Sequence, residues 1–274
     1  MYNFTFLLSF TIALIPESDV TQGWKQLAPG MDLLYLPAKT NDKPGGSNIT
    51  IVRFDPQLWE LVFLGLSQTG ESAGRTAREW CESHKLVAAI NAGMYADNYK
   101  THVGYLRSKD HVNNSHINNY QSVLAFDPKE GKVIPSFRIY DLDESKISIG
   151  SILNDYSTAI QNLRLIKKPG KNQWSKQNGE WNEAAIGEDK EGKILFIYSR
   201  LPLSMHDLNQ ELLASGIGIV AAQHLEGGFE AQLYLNQGDV EIDLFDIYDG
   251  NSNEDNGNSR AEPIPNIIGI RPRN

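Results

Sequence analysis

The stretch Val87-Ala88-Ala89-Ile90-Asn91-Ala92-Gly93-Met94-Tyr95 decides how the rest of the chain is interpreted. Its first four residues form a short apolar run of the kind that a buried strand shows. The residues that follow are mostly polar or small, and Gly93 permits a sharp turn of the backbone. Polar residues and glycines at strand ends are where open sheets build binding sites. We therefore predict that a buried strand delivers Asn91, Gly93 and Tyr95 to a binding site.

A second segment of this kind lies in the C-terminal half, where a strand predicted over residues 217–222 leads into Gln223-His224-Leu225-Glu226-Gly227-Gly228. His224 and Glu226 alternate along an extended chain, so we expect them on one face. The glycines would let a ligand approach the backbone N–H groups closely. Glu226 is therefore predicted as a general acid, base or nucleophile. His224 is interpreted either as a second functional group or as a hydrogen-bonded core histidine.

The remaining pattern predicts a single domain over residues 23–274. Apolar runs between turn signals predict strands at 31–37, 49–54, 58–66, 122–126, 133–140, 184–186, 194–199, 231–235 and 264–270. The first three of these strands together suggest an antiparallel meander. Helices are predicted over 74–84 and after the N-cap residue Ser204, and the polar stretches 96–120 and 168–182 are predicted to be loops. The sequence thus indicates an α+β fold with mixed, largely antiparallel sheets packed with two or three helices.

The first 18 residues carry a separate signal. An apolar run occupies residues 4–14, which is too short to span a bilayer as a helix but suits the core of a signal peptide. No positive side chain precedes it, so an apolar first strand is the alternative. We predict a signal peptide over residues 1–18, a secreted or periplasmic location, and no membrane span in the mature chain.

Composition excludes some classes of partner and cofactor. The net charge of −9 argues against nucleic-acid binding, because that binding depends on Lys and Arg meeting phosphates. The single cysteine, Cys81, cannot form an intrachain disulfide. His102, His111 and His116 lack regular ligand spacing. The sequence therefore predicts no metal site and no cofactor, with a divalent metal left open.

Several segments, in order, resemble blocks of the phosphodiester glycosidase family, over about residues 86–270, and most closely its bacterial branch. They are Asn91-Ala92-Gly93-Met94-Tyr95 with Gly104, Ala184-Ala185-Ile186-Gly187-Glu188-Asp189, residues 204–213, Leu225-Glu226-Gly227-Gly228, and Pro263-Ile264-Pro265-Asn266. The last two resemble the Leu-Asp-Gly-Gly and terminal Val-Pro-Asn motifs. The resemblance implies a hydrolase of a glycosidic bond next to a phosphodiester, acting on a carbohydrate or glycan-phosphate.

The chain departs from that family at two informative positions. The family usually has Arg where Glu183 and Glu262 stand here. Arginine is the natural clamp for a phosphate, so these departures argue against a phosphodiester substrate. Arg200 is the leading replacement as an anion contact, with Arg260 and Lys100 as further options.

Three functional hypotheses remain at this point. The first is a glycosidase of a bacterial envelope, with Glu226 and His224 as catalytic residues. The substrate-binding set would be Asn91, Gly93, Tyr95, Arg200, His206, Gly227 and Gly228. The second carboxylate stays open between Glu183, Asp207, Glu230 and Glu262. The alternatives are a non-catalytic glycan-binding protein on the same fold and a metal-dependent phosphodiesterase.

Overall fold

The protein is built from three antiparallel sheets. A computed structural model describes residues 23–37, 48–246 and 261–273. Every strand pairing among these residues is antiparallel. The predicted signal peptide lies outside the described residues. The predicted α+β class, with largely antiparallel sheets, is confirmed.

The largest sheet has eight strands in the order β1-β2-β3-β14-β13-β15-β11-β12. Its strands are β1 Lys25–Ala28, β2 Met31–Pro37, β3 Asn48–Phe54, β11 Arg164–Lys167, β12 Lys171–Asn172, β13 Trp181–Asp189, β14 Ile194–Leu203 and β15 Ile219–Gly227. The second sheet has the order β7-β6-β10-β8-β9. It consists of β6 Leu106–Ser108, β7 His111–Asn114, β8 Ser122–Pro128, β9 Phe137–Asp141 and β10 Tyr156–Asn162.

The third sheet has the order β17-β16-β5-β18-β4, which puts β5 at its centre. Its strands are β4 Trp59–Gly65, β5 Ala88–Asn91, β16 Gln232–Gln237, β17 Val240–Phe245 and β18 Asn266–Pro272. Apolar side chains from all three sheets form the largest core cluster. The sheets therefore pack against one another, which places the ends of β5 and β15 close together.

The helices cover outer faces of the sheets. They are α1 Leu66–Thr69, α2 Ala77–His84, α3 Ile149–Asp155 and α4 Met205–Ala214, with a 3-10 turn at Gly228–Glu230. Helix α2 packs on the third sheet, α3 on the second and α4 on the first. Ser204 caps α4 as predicted, because its side chain accepts from the Asp207 N–H. Among the described residues, no helix is long and apolar enough to cross a membrane.

The structure corrects three details of the sequence-based prediction. Strand β4 pairs with β18 in the third sheet, so it does not continue a meander from β2 and β3. The predicted loop 96–120 contains β6 and β7, and the predicted loop 168–182 contains β12 and the start of β13. Short strands with polar residues lack the apolar alternation on which the prediction relied. The described residues hold four helices, of which α1 and α3 were not predicted.

Candidate active site

The two segments that stand out in the sequence lie side by side in the structure. Asn91 ends β5, and its side-chain N–H donates to the Glu230 carbonyl oxygen at 3.0 Å. The Gln232 N–H donates to Asn91 Oδ1 at 2.7 Å. Backbone groups thus occupy both polar atoms of this buried amide. Asn91 therefore fastens β5 to the turn after β15, and its place in substrate binding stays a prediction.

Gly93 permits close packing behind the site. Its φ is +139°, and a Cβ atom there would lie 2.2 Å from Asn162 Oδ1 and 2.4 Å from His102 Cε1. His102 is fully buried, and its Nε2 lies 2.8 Å from the Gln161 carbonyl oxygen. Burial lowers the pKa of His102 to about 4, although that carbonyl acts in the opposite direction. His102 is therefore neutral at pH 7, and the close packing of Asn162 and His102 explains why a glycine is needed at Gly93.

Glu226 is a buried carboxyl with few hydrogen-bond partners. The residue is 7% exposed, and Glu226 Oε1 accepts a bond from the adjacent Gly227 N–H at 3.1 Å. Burial raises the pKa of Glu226 to about 7, opposed by that N–H and by His224, and assisted by the charges of Glu230 and Glu183. A carboxyl that titrates near neutral pH can donate or accept a proton in catalysis. Its surroundings therefore fit the predicted acid/base role.

Next to Glu226, His224 is held by Glu183. The Nδ1–H of His224 donates to Glu183 Oε1 in a short contact, and the Trp181 indole N–H donates to Glu183 Oε2 at 2.8 Å. Burial acts to lower the pKa of His224, but the charge and hydrogen bond of Glu183 outweigh it and raise that pKa, with Glu226 adding to the rise. Glu183 therefore favours the protonated form of His224 and fixes the orientation of its ring.

A register shift separates the side chains of His224 and Glu226. His224 pairs with Ala185 across the sheet and Glu226 pairs with Ala184, so Leu225 is an extra residue on β15. Residues directly opposite each other share a face, and consecutive residues point to opposite faces. The expectation that His224 and Glu226 share one face is therefore wrong, because a bulge interrupts the alternation. The two groups still influence each other through their charges.

The two glycines after Glu226 have different roles. A Cβ atom at Gly227 would lie 2.7 Å from Trp181 Cδ1, so this glycine makes room for the indole that binds Glu183. Gly228 has a φ of +69°, and no atom lies within 4 Å of where its Cβ would be. Gly227 is thus explained by packing. Gly228 has open space above it, as the prediction of close ligand approach requires.

Two tyrosines border the site on the side of β5. A hydrogen bond joins Tyr95 to Glu230, and this bond, burial and the charge of Glu226 all raise the pKa of Tyr95. The ring of Tyr99 packs edge-on against that of Tyr95, with centroids 5.0 Å apart. Burial and the charges of Glu230 and Glu262 raise the pKa of Tyr99 to about 12. Both phenols are therefore neutral, and they offer rings and hydroxyls to a ligand.

Two predicted site residues lie elsewhere. His206 is at the start of α4, where its Nδ1 lies 2.6 Å from the Trp174 carbonyl oxygen, so it fastens the segment around β12. Arg200 is exposed on β14, and its charge acts on the hydroxyl of Tyr198. In the described part of the chain, neither residue hydrogen-bonds to Glu226 or His224. Their predicted roles in substrate binding are not supported by this arrangement.

The structure also sorts the options for a second carboxylate. Asp207 belongs to the cap of α4, where Ser204 Oγ donates to it at 2.7 Å. Both oxygens of Glu183 are occupied by Trp181 and His224. Glu230 acts directly on the titration of Glu226. Glu230 is therefore the best placed second carboxylate, and Glu262 lies further out beside Tyr99.

One family model and two solved structures are similar to this chain. The phosphodiester glycosidase model matches residues 84–271, which is more than half of the chain. The search of curated proteins found no significant match. The fold is similar to the catalytic domain of zebrafish N-acetylglucosamine-1-phosphodiester alpha-N-acetylglucosaminidase, solved in a form auto-inhibited by its pro-peptide. That match has a TM-score of 0.58 and 14% identity and covers 89% of both chains.

A hypothetical protein from Synechocystis gives a similar match. Its TM-score is 0.59 at 16% identity, and the match covers 89% of this chain and 62% of that one. At such identities the structural likeness shows the fold alone. The match to the family model over residues 84–271 identifies the family, and it agrees with the order of motifs found in the sequence. This chain belongs to the phosphodiester glycosidase family.

Proposed function

We propose that this protein is a hydrolase that cleaves a glycosidic bond, with a sugar 1-phosphodiester as the substrate class that the family suggests. The observation that carries the proposal is Glu226, a buried carboxyl with a pKa of about 7 next to the open Gly228 turn. A carboxyl with this pKa is protonated often enough at neutral pH to act as a general acid. The charges of His224 and Glu226 act on each other, and the charge of Glu226 acts on the hydroxyl of Tyr95.

The reaction needs one proton donor and one acceptor. Glu226 gives its proton to the glycosidic oxygen as the bond from that oxygen to the anomeric carbon breaks. A water oxygen then bonds to the anomeric carbon, and Glu230 takes the proton that the water loses. Tyr95 hydrogen-bonds to Glu230 and orients its carboxylate. With a phosphodiester substrate, the leaving group is a phosphate monoester.

The test is hydrolysis of a panel of sugar 1-phosphodiesters and plain aryl glycosides. Wild type is compared with Glu226→Gln and Glu230→Gln, with and without EDTA, after circular dichroism has shown that each variant is folded. We expect a loss of roughly 10²- to 10⁴-fold in kcat for Glu226→Gln. Full turnover in Glu226→Gln would overturn the assignment of the general acid. Comparing the leaving groups shows whether phosphate is recognised.

One observation favours a second candidate, a glycan-binding protein without catalysis. Glu183 stands where the family usually has Arg, and its carboxylate is bound to Trp181 and His224. A carboxylate in that place cannot clamp a phosphate. Folded wild type that hydrolyses no member of the panel but binds glycans would support this candidate over the enzyme.

Metal dependence and location belong to the same proposal. Within the described ranges, no group of three or more His, Cys, Asp or Glu side chains is arranged to hold a metal ion. The EDTA arm of the panel tests the metal-dependent phosphodiesterase directly. We also propose export to the cell envelope, supported by the apolar run at residues 4–14. Cell fractionation followed by N-terminal sequencing checks the location and the cleavage site together.

A further inference from the structure

A separate cleft of about 540 Å³ lies beside the candidate active site. Its walls are the loop from Gly70 to Arg75, together with Glu79 of α2 and Pro263. The volume falls within the usual range of small-molecule sites, about 300–1,000 Å³. Neither the family motifs nor the proposed acid/base groups include the loop that forms it. The cleft is therefore large enough for a ligand group that the catalytic residues do not account for.

Tyr99 joins this cleft to the active site. A Cβ atom at Gly74, in the wall of the cleft, would lie 3.1 Å from Tyr99 Cε1. The other side of Tyr99 packs on Tyr95, which hydrogen-bonds to Glu230. Pro263 directly follows Glu262, whose charge acts on Tyr99. The cleft and the active site are thus neighbours that share one tyrosine ring.

The polar groups of the cleft fit a neutral ligand better than an anion. The start of α2 cannot bind an anion, because Thr76 and Glu79 form a capping box and the Ala77 N–H donates to the Gln232 side chain. Among the described residues that line the cleft, Arg75 is the only cation, and its Nε donates to Glu71 at 2.7 Å. The carboxylates of Glu71 and Glu79 supply hydrogen-bond acceptors for the hydroxyl groups of a ligand, and the guanidinium of Arg75 supplies donors.

The ring of Tyr99 adds an apolar surface at the junction. It is 37% exposed, so part of the ring is open to contact with a ligand. Aromatic rings combine a large apolar area with little loss of conformational entropy on binding, and they pack well against the C–H faces of flat ligands. An exposed ring next to hydroxyl-binding side chains is the combination that a sugar ring requires.

We propose that the cleft between the 70–75 loop and Pro263 binds a further, uncharged sugar residue of an oligosaccharide whose scissile bond lies at Glu226. This inference rests on the proposed function, because it assumes that the site binds glycans. It predicts that the protein prefers chains of two or more sugars. Tyr99 packs between the two sites, and Ser72 lies in the wall of the cleft.

The test uses N-acetylglucosamine and its di- and trisaccharide as probes. Isothermal titration of Glu226→Gln, which prevents turnover, measures the dissociation constant for each sugar. We expect affinity to rise about tenfold or more, about 1.4 kcal/mol, from the monosaccharide to the disaccharide. Adding Tyr99→Ala, or Ser72→Trp to fill the cleft, should remove this gain. Tyr35→Ala, at a tyrosine that is 51% exposed on β2, is the matched control and should keep it.

The outcomes separate this inference from the proposed function. Affinity that does not increase with chain length, or an increase that survives both Tyr99→Ala and Ser72→Trp, overturns the sugar subsite. Hydrolysis of a simple aryl glycoside by the wild-type protein needs no second sugar residue and reports on the active site alone. Loss of the subsite and loss of the enzymatic activity are therefore seen in different assays.

Discussion

Two buried glutamates in neighbouring parts of the largest sheet have opposite surroundings. Glu188, near the far end of β13, is fully buried and accepts from Arg138, from Lys168 Nζ at 2.7 Å and from the Ile139 N–H at 2.9 Å. Glu226, at the end of β15, is almost as buried, but among the described residues it accepts one bond, from the Gly227 N–H. The charge of Glu188 is balanced by Arg138 and Lys168. Glu226 has no such cation bound to it among the described residues, and its pKa is about 7.

This difference separates a structural carboxylate from the one that we propose acts in catalysis. A buried charge is tolerated when it is paired and hydrogen-bonded, as it is at Glu188. A buried carboxyl without such partners destabilises the fold when it ionises, so it is retained where its proton is useful. Sequence spacing does not distinguish the two, because both residues lie on long apolar strands. The partners that each side chain meets in the fold decide the role.

The largest expected effect is on catalysis. Glu226→Gln should lower kcat by roughly 10²- to 10⁴-fold on any substrate that wild type hydrolyses, because the amide cannot donate an acidic proton. Glu188→Gln should leave kcat close to wild type in protein shown to be folded. Steady-state rates for both variants make the comparison. Equal losses in the two would mean that burial alone, and not the missing partners, marks these residues.

The pH dependence of stability should report the titration of Glu226. The folded pKa of Glu226 is raised from 4.5 to about 7, so the folded state binds its proton more tightly. Its contribution to stability is present below pH 4.5 and is lost as pH rises to 7, a change of about 3 kcal/mol. Urea unfolding at pH 4.5, 6 and 8 measures it. Glu226→Gln should remove this loss and become more stable than wild type at pH 8.

Replacing the carboxylate of Glu188 should lower the free energy of unfolding. Replacing its carboxylate by an amide in Glu188→Gln should cost about 2 kcal/mol, because hydrogen bonds to charged groups are lost. The side chains of Arg138 and Lys168 are 35% and 32% exposed, so water recovers part of their solvation and limits the cost. Denaturant midpoints measure the effect. The exposed Glu144→Gln serves as the control and should stay within about 0.5 kcal/mol of wild type.

The smallest effect concerns the support of the His224–Glu183 pair. Trp181→Phe removes the indole N–H from Glu183 and should cost about 1 kcal/mol of stability. It should also shift the pH profile of kcat/KM to higher pH by a few tenths of a unit, because Glu183 then holds the His224 proton more tightly. Trp174→Phe loses a similar 2.8 Å bond, to the Arg164 carbonyl oxygen. The same pH shift in both variants would contradict a specific role for Trp181.

Much of the fold follows from local pattern. The strand predicted at residues 31–37 coincides with β2, and those at 49–54 and 122–126 differ from β3 and β8 by at most two residues at either end. These strands are apolar and bounded by turn residues, which is the condition under which periodicity is informative. The predicted cap at Ser204 is also local, because it needs one hydroxyl at the start of α4. Strands such as β6 and β7 carry polar residues and were missed.

The residues of the candidate site also fall into two groups, those that a local motif indicates and those whose contacts are distant in sequence. The motifs contain Glu226, His224, Gly228 and Tyr95, which also lie close together in the fold, since each motif keeps chemistry-bearing residues together along the chain. The roles of Asn91 and Gly93 depend on partners far away in sequence, the Glu230 carbonyl oxygen for one and Asn162 and His102 for the other. No spacing rule reports such contacts, so the sequence could not show that both residues also hold the fold together.

The sequence by itself determined the family, the class of fold and the segments that meet at the site, because these depend on periodicity and on ordered motifs. Only the tertiary structure decided the protonation states. Glu183 meets His224 because β13 and β15 pair, and the bulge at Leu225 turns Glu226 away from the face of His224. Burial and charge act through space, so a pKa near 7 at Glu226 arises only when the sheets have packed.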